Sequence, residues 1–160
     1  MTEDTKLIPK GSVPLNVLIV EDNVADAKIA LRAFKNAKIK NNVIVVNDGL
    51  ECLKYLKREE PYQDKTQYPW PNLILLDISM PKVDGFAVLK ELKKDLVFDI
   101  VPVIVLSGSK HREDVRKSYE NGANSFIQKP VSYEAFVDLV EGFNYYWNVL
   151  NRLPEGENWQ

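Results

Sequence analysis

Two residue types on which many catalytic and metal centres depend are almost missing from this chain, which has one cysteine, Cys52, and one histidine, His111. A lone cysteine has no intramolecular disulfide partner, and a lone histidine gives poor support to a zinc site or a histidine-based catalytic pair. Cys52, in the Leu50–Leu53–Leu56 segment, reads as a small helix residue, and His111 as a solvated residue opening a helix. Glycine is sparse as well, and none of the 7 glycines lies in a glycine-rich loop that would cradle a phosphate. Gly85 reads instead as a turn or helix-start residue. Neither sign of charge dominates: 21 Lys and Arg stand against 23 Asp and Glu, a net charge of −2. Composition thus offers no electrostatic case for binding nucleic acid or an anionic membrane. An apolar run of about 18 residues, enough to span a membrane, does not occur. The N-terminal stretch also lacks the basic-then-apolar layout of a secretory signal. These absences lead us to expect a cytoplasmic chain, kept reduced, whose partners are other proteins.

What is present is an α/β pattern. A length of 160 residues with 45% hydrophobic content suffices for one domain with one substantial core. Residues 1–14, with scattered charges, Gly11 and Pro14, read as a flexible arm, residues 15–153 as the ordered domain, and 154–160 as a tail. Five short runs rich in Val, Ile and Leu follow one another: 17–20, 43–46, 73–76, 103–106 and 125–127. Runs without polar alternation suit strands buried on both faces, as in a parallel sheet covered by helices. Helical patterns separate them, the first with Ala27, Ala30, Leu31 and Phe34 on one face, the third with Phe86, Leu89 and Leu92. The βα unit repeats five times, which predicts a doubly wound five-stranded parallel sheet with its ligand site beyond the carboxyl ends of the strands. Residues 59–72 hold three prolines and no periodicity, and read as a long loop. After Pro130, the stripe Phe136, Leu139, Val140, Phe143, Trp147 and Leu150 predicts an extended, aromatic last helix.

The chemistry gathers at the predicted strand ends. Glu21 and Asp22 follow the first strand and Asp77 ends the third, so three carboxylates meet at one sheet edge. They repel one another unless a charge offsets them. A hard divalent cation does this, and Mg²⁺ favours one or two carboxylates together with phosphate oxygens and water. Asp22 or Asn23 alone would read equally well as a helix cap. Lys129 ends the fifth strand and Ser107 the fourth; singly, they are a solvated amine and a turn hydroxyl. If strands one, three, four and five lie side by side, Asp77 is flanked by a metal, a cation and a hydroxyl. Those are the parts for phosphoryl transfer, where catalysis is mostly positioning and charge stabilisation.

Four segments carry a resemblance to the receiver domains of two-component response regulators. They are Val-Leu-Ile-Val-Glu-Asp-Asn (17–23), Leu-Ile-Leu-Leu-Asp-Ile-Ser-Met-Pro-Lys-Val-Asp-Gly (73–85), Val-Ile-Val-Leu-Ser-Gly-Ser (103–109) and Phe-Ile-Gln-Lys-Pro (126–130). The likeness covers residues 15 to about 145, with each motif at a strand end. It implies the flavodoxin-like (βα)5 receiver fold, and a function in phosphorelay signalling. By this resemblance, Asp77 takes a phosphoryl group from the phosphohistidine of a sensor histidine kinase. Asp22 ligates Mg²⁺ directly, Glu21 acts on it mostly through water, and the carbonyl of Ser79 completes the protein ligands with Asp77. Lys129 pairs with the phosphoryl group, Ser107 hydrogen-bonds it, and Phe126 changes rotamer when Ser107 moves. Pro130 follows a cis peptide bond.

Physical logic runs beside the resemblance. An acyl phosphate adds negative charge and strong acceptor oxygens, which draw in a hydroxyl and an ammonium. Volume vacated by Ser107 can be filled by Phe126, a two-state packing element read out on the face of the fourth helix, fifth strand and fifth helix. Phe126 has no hydroxyl, so a hydrogen bond to a partner from that ring is excluded. The long loop and the Tyr145–Leu150 ending resemble the single-domain regulators that accompany bacterial phytochromes, chiefly in cyanobacteria. A homodimer is expected through the fourth-helix, fifth-strand and fifth-helix face and the C-terminal segment, because Tyr146, Val149 and Leu153 form a second apolar line. Beyond its own phosphoryl transfer and dephosphorylation, no enzymatic activity is expected. Two other classes compete with this reading. A phosphorylation-independent pseudo-receiver is disfavoured by the full acidic set with Lys129 and Ser107. A flavodoxin-like or phosphatase-like enzyme would need a phosphate loop or a second nucleophile motif, and neither is visible.

Overall fold

The computed structural model describes residues 13–80, 84–95 and 98–153, so most of the arm assigned to 1–14 and the tail at 154–160 lie outside the described residues. Five strands, β1 (Asn16–Val20), β2 (Asn42–Val46), β3 (Leu73–Leu76), β4 (Val103–Ser107) and β5 (Ser125–Gln128), alternate with five helices. These are α1 (Val24–Asn36), α2 (Gly49–Lys57), α3 (Gly85–Lys94), α4 (Arg112–Glu120) and α5 (Tyr133–Asn144). The strands form one parallel sheet in the order β2-β1-β3-β4-β5. Strand order reverses between β1 and β3, the switch point at which doubly wound folds place their ligands.

Each strand faces two cores, which is why its sequence shows no polar alternation. Leu18, Val20, Ile74, Leu76, Val103 and Val105 pack toward α2 and α3 with Leu56, Val88, Leu89 and Leu92. Their neighbours Val17, Ile19, Leu73, Leu75, Ile104 and Leu106 pack toward α1 and α5 with Ala30, Ala33, Phe34, Phe136, Val140 and Phe143. Short polar side chains start the helices: Asn23 accepts from Asp26 N, Asp48 from Glu51 N, Asp84 from Phe86 N and Ser132 from Ala135 N. Gly85 is required by a close approach. A Cβ there would lie 2.3 Å from Ile78 Cα and 2.7 Å from the Asp77 carbonyl oxygen. The start of α3 therefore rests directly on the backbone that follows β3.

Three sequence expectations are corrected by packing. Leu31, expected on the buried face of α1, is 39% exposed, and Ala33 is buried in its place. Leu150, expected on the stripe of the last helix, is 59% exposed. The helix widens to π spacing over Tyr145–Leu150, which rotates the positions that follow off the α-helical stripe. Leu153, expected in an outward line with Tyr146 and Val149, packs against its own domain on the α1/α5 side.

Residues 59–72 contain no helix or strand, as expected, yet they are pinned to α2. Tyr62 and Tyr68 pack on the Tyr55 ring with centroids at 5.2 and 5.9 Å, and the Tyr55 hydroxyl donates to Pro69 O at 2.6 Å. Arg58 reaches the carbonyl of Tyr68. At the sheet end opposite the strand carboxyl termini, asparagines form a network that the hydrophobic pattern gave no reason to expect. Asn148 donates to Val13 O and to Asn41 Oδ1, while Asn41 donates to Asn144 and Asn144 to Ile39 O. It fastens the π-helical segment to the domain. Among the described residues, no helix is long and apolar enough to cross a membrane.

Candidate functional site

The sheet ladders run one residue past the strands and thereby level the site residues. Glu21 N donates to Val46 O at 3.0 Å and Asp77 N to Val20 O at 3.1 Å, so the residues after β1 and β3 stand side by side. Lys129 N donates to Ser107 O at 2.8 Å, which sets the residue after β5 beside the end of β4. The carboxylates of Glu21, Asp22 and Asp77 then offer ligand oxygens that all lie within 4.8 Å of one another. Glu21 and Asp77 are each only 5% exposed. An open cleft of ≈ 1040 Å³ leads to them, with Ser79, Ser109 and His111 at its walls.

Hydrogen bonds orient each group. Asp77 Oδ1 accepts from Ser79 N at 2.8 Å, and its Oδ2 faces Lys129 Nζ at 3.2 Å. Glu21 Oε1 accepts from Asn23 N at 3.1 Å, and its Oε2 from Lys129 Nζ at 2.6 Å. Burial, with the Asp77 charge adding to it, pushes the Glu21 carboxyl up from 4.5 to about 7 despite the hydrogen bond from Lys129. Burial works against the charge on Lys129 too, but hydrogen bonds to Glu21 and Asp26 and the charges of Asp77 and Glu21 outweigh it and hold the amine protonated. The carboxylates of Glu21, Asp22, Asp26 and Asp77 thus outnumber the Lys129 ammonium among them. An all-oxygen donor set with surplus negative charge fits a hard divalent cation.

The structure brings together Glu21, Asp22, Asp77, Ser79 and Lys129 as the sequence predicted. Ser107 is close by but differently engaged. It is fully buried, its Oγ accepts from Ser109 N at 3.1 Å, and no hydrogen bond joins that hydroxyl to the side chains of Asp77 or Lys129 among the described residues. Phe126 sits half-buried on β5, paired with Val105 in register and packed against the α2/α3-side core. His111 caps α4 without a side-chain bond and remains exposed, as expected. The peptide bond before Pro130, expected to be cis, is not; the cis bond among the described residues is Glu60–Pro61.

One site residue escaped the sequence reading. Asp26, in the first turn of α1, accepts from Lys129 Nζ at 3.0 Å. The available signal was its place in the first turn after the Asn23 cap, next to the strand end that carries Glu21 and Asp22.

A parallel (βα)5 sheet with an acidic cluster at its switch point, an aspartate directly after β3 and a lysine after β5 defines a class of signalling domain. The sequence model of the response regulator receiver domain matches residues 17–141, and the chain belongs to that family of phosphorelay signalling proteins. It is similar to the response regulator Rcp1 of Synechocystis sp., with 34% identity over 145 residues that cover 91% of this chain and 97% of Rcp1. Among solved structures, it resembles the phosphorylated cyanobacterial phytochrome response regulator RcpA with a TM-score of 0.81 and 34% identity, covering 89% of this chain and 100% of that one. The Mn²⁺-bound form of Rcp1 superposes with a TM-score of 0.78 at 34% identity and the same coverage, 89% and 100%.

Proposed function

We propose that this chain accepts a phosphoryl group on Asp77 from the phosphohistidine of a sensor histidine kinase of the phytochrome class, and passes its state on through protein contacts. The observation that carries the reading is Lys129 Nζ, 3.2 Å from Asp77 Oδ2 in a carboxylate trio of which Glu21 and Asp77 are buried. A carboxylate oxygen of Asp77 attacks phosphorus, the P–N bond to the imidazole breaks, and the ring nitrogen leaves with the electron pair. Lys129 then pairs with the phosphoryl oxygens, and Ser79 N holds the other oxygen of Asp77 in place. Glu21, Asp22, Asp77 and the Ser79 carbonyl are the residues to hold Mg²⁺, which when bound supplies positive charge to the transferring group. The likeness to a Mn²⁺-bound regulator supports a divalent cation here. Ser107 turns from Ser109 N to the phosphoryl group, and Phe126 follows into the vacated volume. Beyond this self-catalysed transfer and dephosphorylation, in which water takes the phosphoryl group as inorganic phosphate and frees the Asp77 carboxylate, the chain is not an enzyme.

Two exposed valines support the docking of a kinase at this end. Val24 opens α1 two residues after Asp22, and Val131 follows Lys129 by two; both side chains are open to solvent. On another face, exposed Tyr119 of α4 with Tyr145, Tyr146 and Leu150 supports a homodimer through α4, β5, α5 and the C-terminal segment. One buried free thiol, Cys52, suits a cytoplasmic setting. The test is incubation with a small phosphodonor and Mg²⁺, followed by intact mass. Wild type gains one phosphoryl group and Asp77→Asn gains none. An unlabelled wild type, or an Asp77→Asn variant labelled at the wild-type rate, overturns the reading.

A further inference from the structure

Lys129 spends its three donors on three carboxylates from three parts of the chain. Its Nζ lies 2.6 Å from Glu21 Oε2, 3.0 Å from Asp26 Oδ2 and 3.2 Å from Asp77 Oδ2. Two of the three, Glu21 and Asp77, also belong to the trio whose oxygens could hold a cation; Asp26 does not. Glu21 Oε1 accepts from Asn23 N and Oε2 from Lys129 Nζ, so a cation or its water that draws on this carboxylate would compete with the ammonium for its charge. A divalent charge there weakens that contact and repels the ammonium. Lysine is a flexible four-carbon stem, and without a second partner it would leave the acceptor.

Asp26 is built to be that partner. Its backbone N donates to Asn23 Oδ1 at 3.0 Å, which ties it into the first turn of α1. Its side chain is 42% exposed, while the Lys129 side chain it holds is 16% exposed. An ordinary surface ion pair would contribute little. This one has one end in the site and restrains the atom that must face the phosphoryl group. We infer that Asp26 is a positioning residue for phosphoryl transfer, holding the Lys129 ammonium beside Asp77 once the charge of Glu21 is drawn to the cation. The inference rests on Asp77 as acceptor and deepens that reading.

The experiment follows the labelling rate by a small phosphodonor against Mg²⁺ concentration in wild type, Asp26→Asn, Asp26→Glu and Asp77→Asn. Positioning predicts that Asp26→Asn labels about tenfold more slowly at saturating Mg²⁺, the scale of coupling between contacting members of one ion-pair network. Its Mg²⁺ midpoint stays close to that of wild type, and Asp26→Glu recovers part of the rate. A loss confined to the Mg²⁺ midpoint would make Asp26 a bare charge of the metal pocket and overturn the inference. An Asp26→Asn rate equal to wild type would do the same. Asp77→Asn separates the two levels: if it stays unlabelled while Asp26→Asn matches wild type, only the role of Asp26 is lost. If Asp77→Asn labels normally, the acceptor reading is lost and this inference with it.

Discussion

At the scale of single residues, Glu21 carries the most testable electrostatics. Its carboxyl is raised from 4.5 to about 7, with burial the largest cause. A folded-state value above the unfolded one means that the protonated form favours folding, so this contribution is complete below about 4.5 and is lost as pH rises through about 7. Glu21→Gln should therefore flatten the fall in melting temperature of cation-free protein across that window. At the proposed metal site Mg²⁺ would bind the ionised form and compete with the proton, so it should stabilise the protein more at about pH 8 than at about pH 6. A thermal-shift series with EDTA or Mg²⁺ checks both, and equal Mg²⁺ stabilisation at the two pH values would contradict the assignment. Cys52 makes a simpler case. Burial pushes its thiol up to about 12, so a thiol reagent at about pH 8 should fail to label the folded protein and label it fully in denaturant.

At the scale of elements, two glycines should respond to alanine with opposite signs. At Gly85 the new Cβ would meet backbone, Ile78 Cα at 2.3 Å, which cannot rotate away. The start of α3 would have to lift off the segment that carries Asp77. Gly85→Ala should cost about 3 kcal/mol or more, the upper range of overpacking, and should slow phosphodonor labelling as well. Gly142, in the interior of α5, has open space where a Cβ would stand, with nothing within 4 Å. Gly142→Ala should stabilise by about 0.5–1 kcal/mol through helix propensity alone. Urea unfolding of the two variants reads both effects. Buried packing in the helices follows the usual rule: Leu89, fully buried against the sheet, should cost about 2–5 kcal/mol as Leu89→Ala.

At the scale of the whole molecule, the two ends of the sheet have different tasks. The carboxyl end gathers the charged groups, and the opposite end is closed by asparagines that fasten the C-terminal segment. With Leu153 packed on its own domain, Tyr145, Tyr146 and Leu150 are the exposed large apolar residues of the C-terminal segment, and the proposed homodimer would use them. Phe126, on β5, is the side chain proposed to move when Asp77 is phosphorylated, so phosphorylation should shift a dimer equilibrium on the α4, β5 and α5 face by about 1–3 kcal/mol. Sedimentation velocity on the order of tens of micromolar, with and without beryllofluoride, measures it. Wild type should dimerise and a Tyr146→Glu, Leu150→Glu variant should not. A wild-type monomer in both states would remove the dimer from the account.

Much of this was legible in the chain because parallel-sheet physics leaves few options. Runs such as Leu73–Leu76 are buried on both faces, so they read as central strands whatever surrounds them. Charged residues immediately after such runs must then stand at the carboxyl edge, and Glu21, Asp22, Asp77 and Lys129 could be assembled from position alone. Helical phase was less legible, since the sheet decides which face turns inward; Ala30, Ala33, Phe34 and Ala37 face the core and leave Leu31 39% exposed. The π turn at Tyr145–Leu150 leaves no mark in an apolar stripe, and it moved Leu150 to the surface. By itself, then, the sequence determined the strands, their edge chemistry and the family, because each is set by neighbours in the chain. Only the tertiary structure decided that Lys129 reaches Asp26 across 103 positions and that α3 begins on the backbone of Ile78, because each depends on surfaces that meet only when the chain is folded.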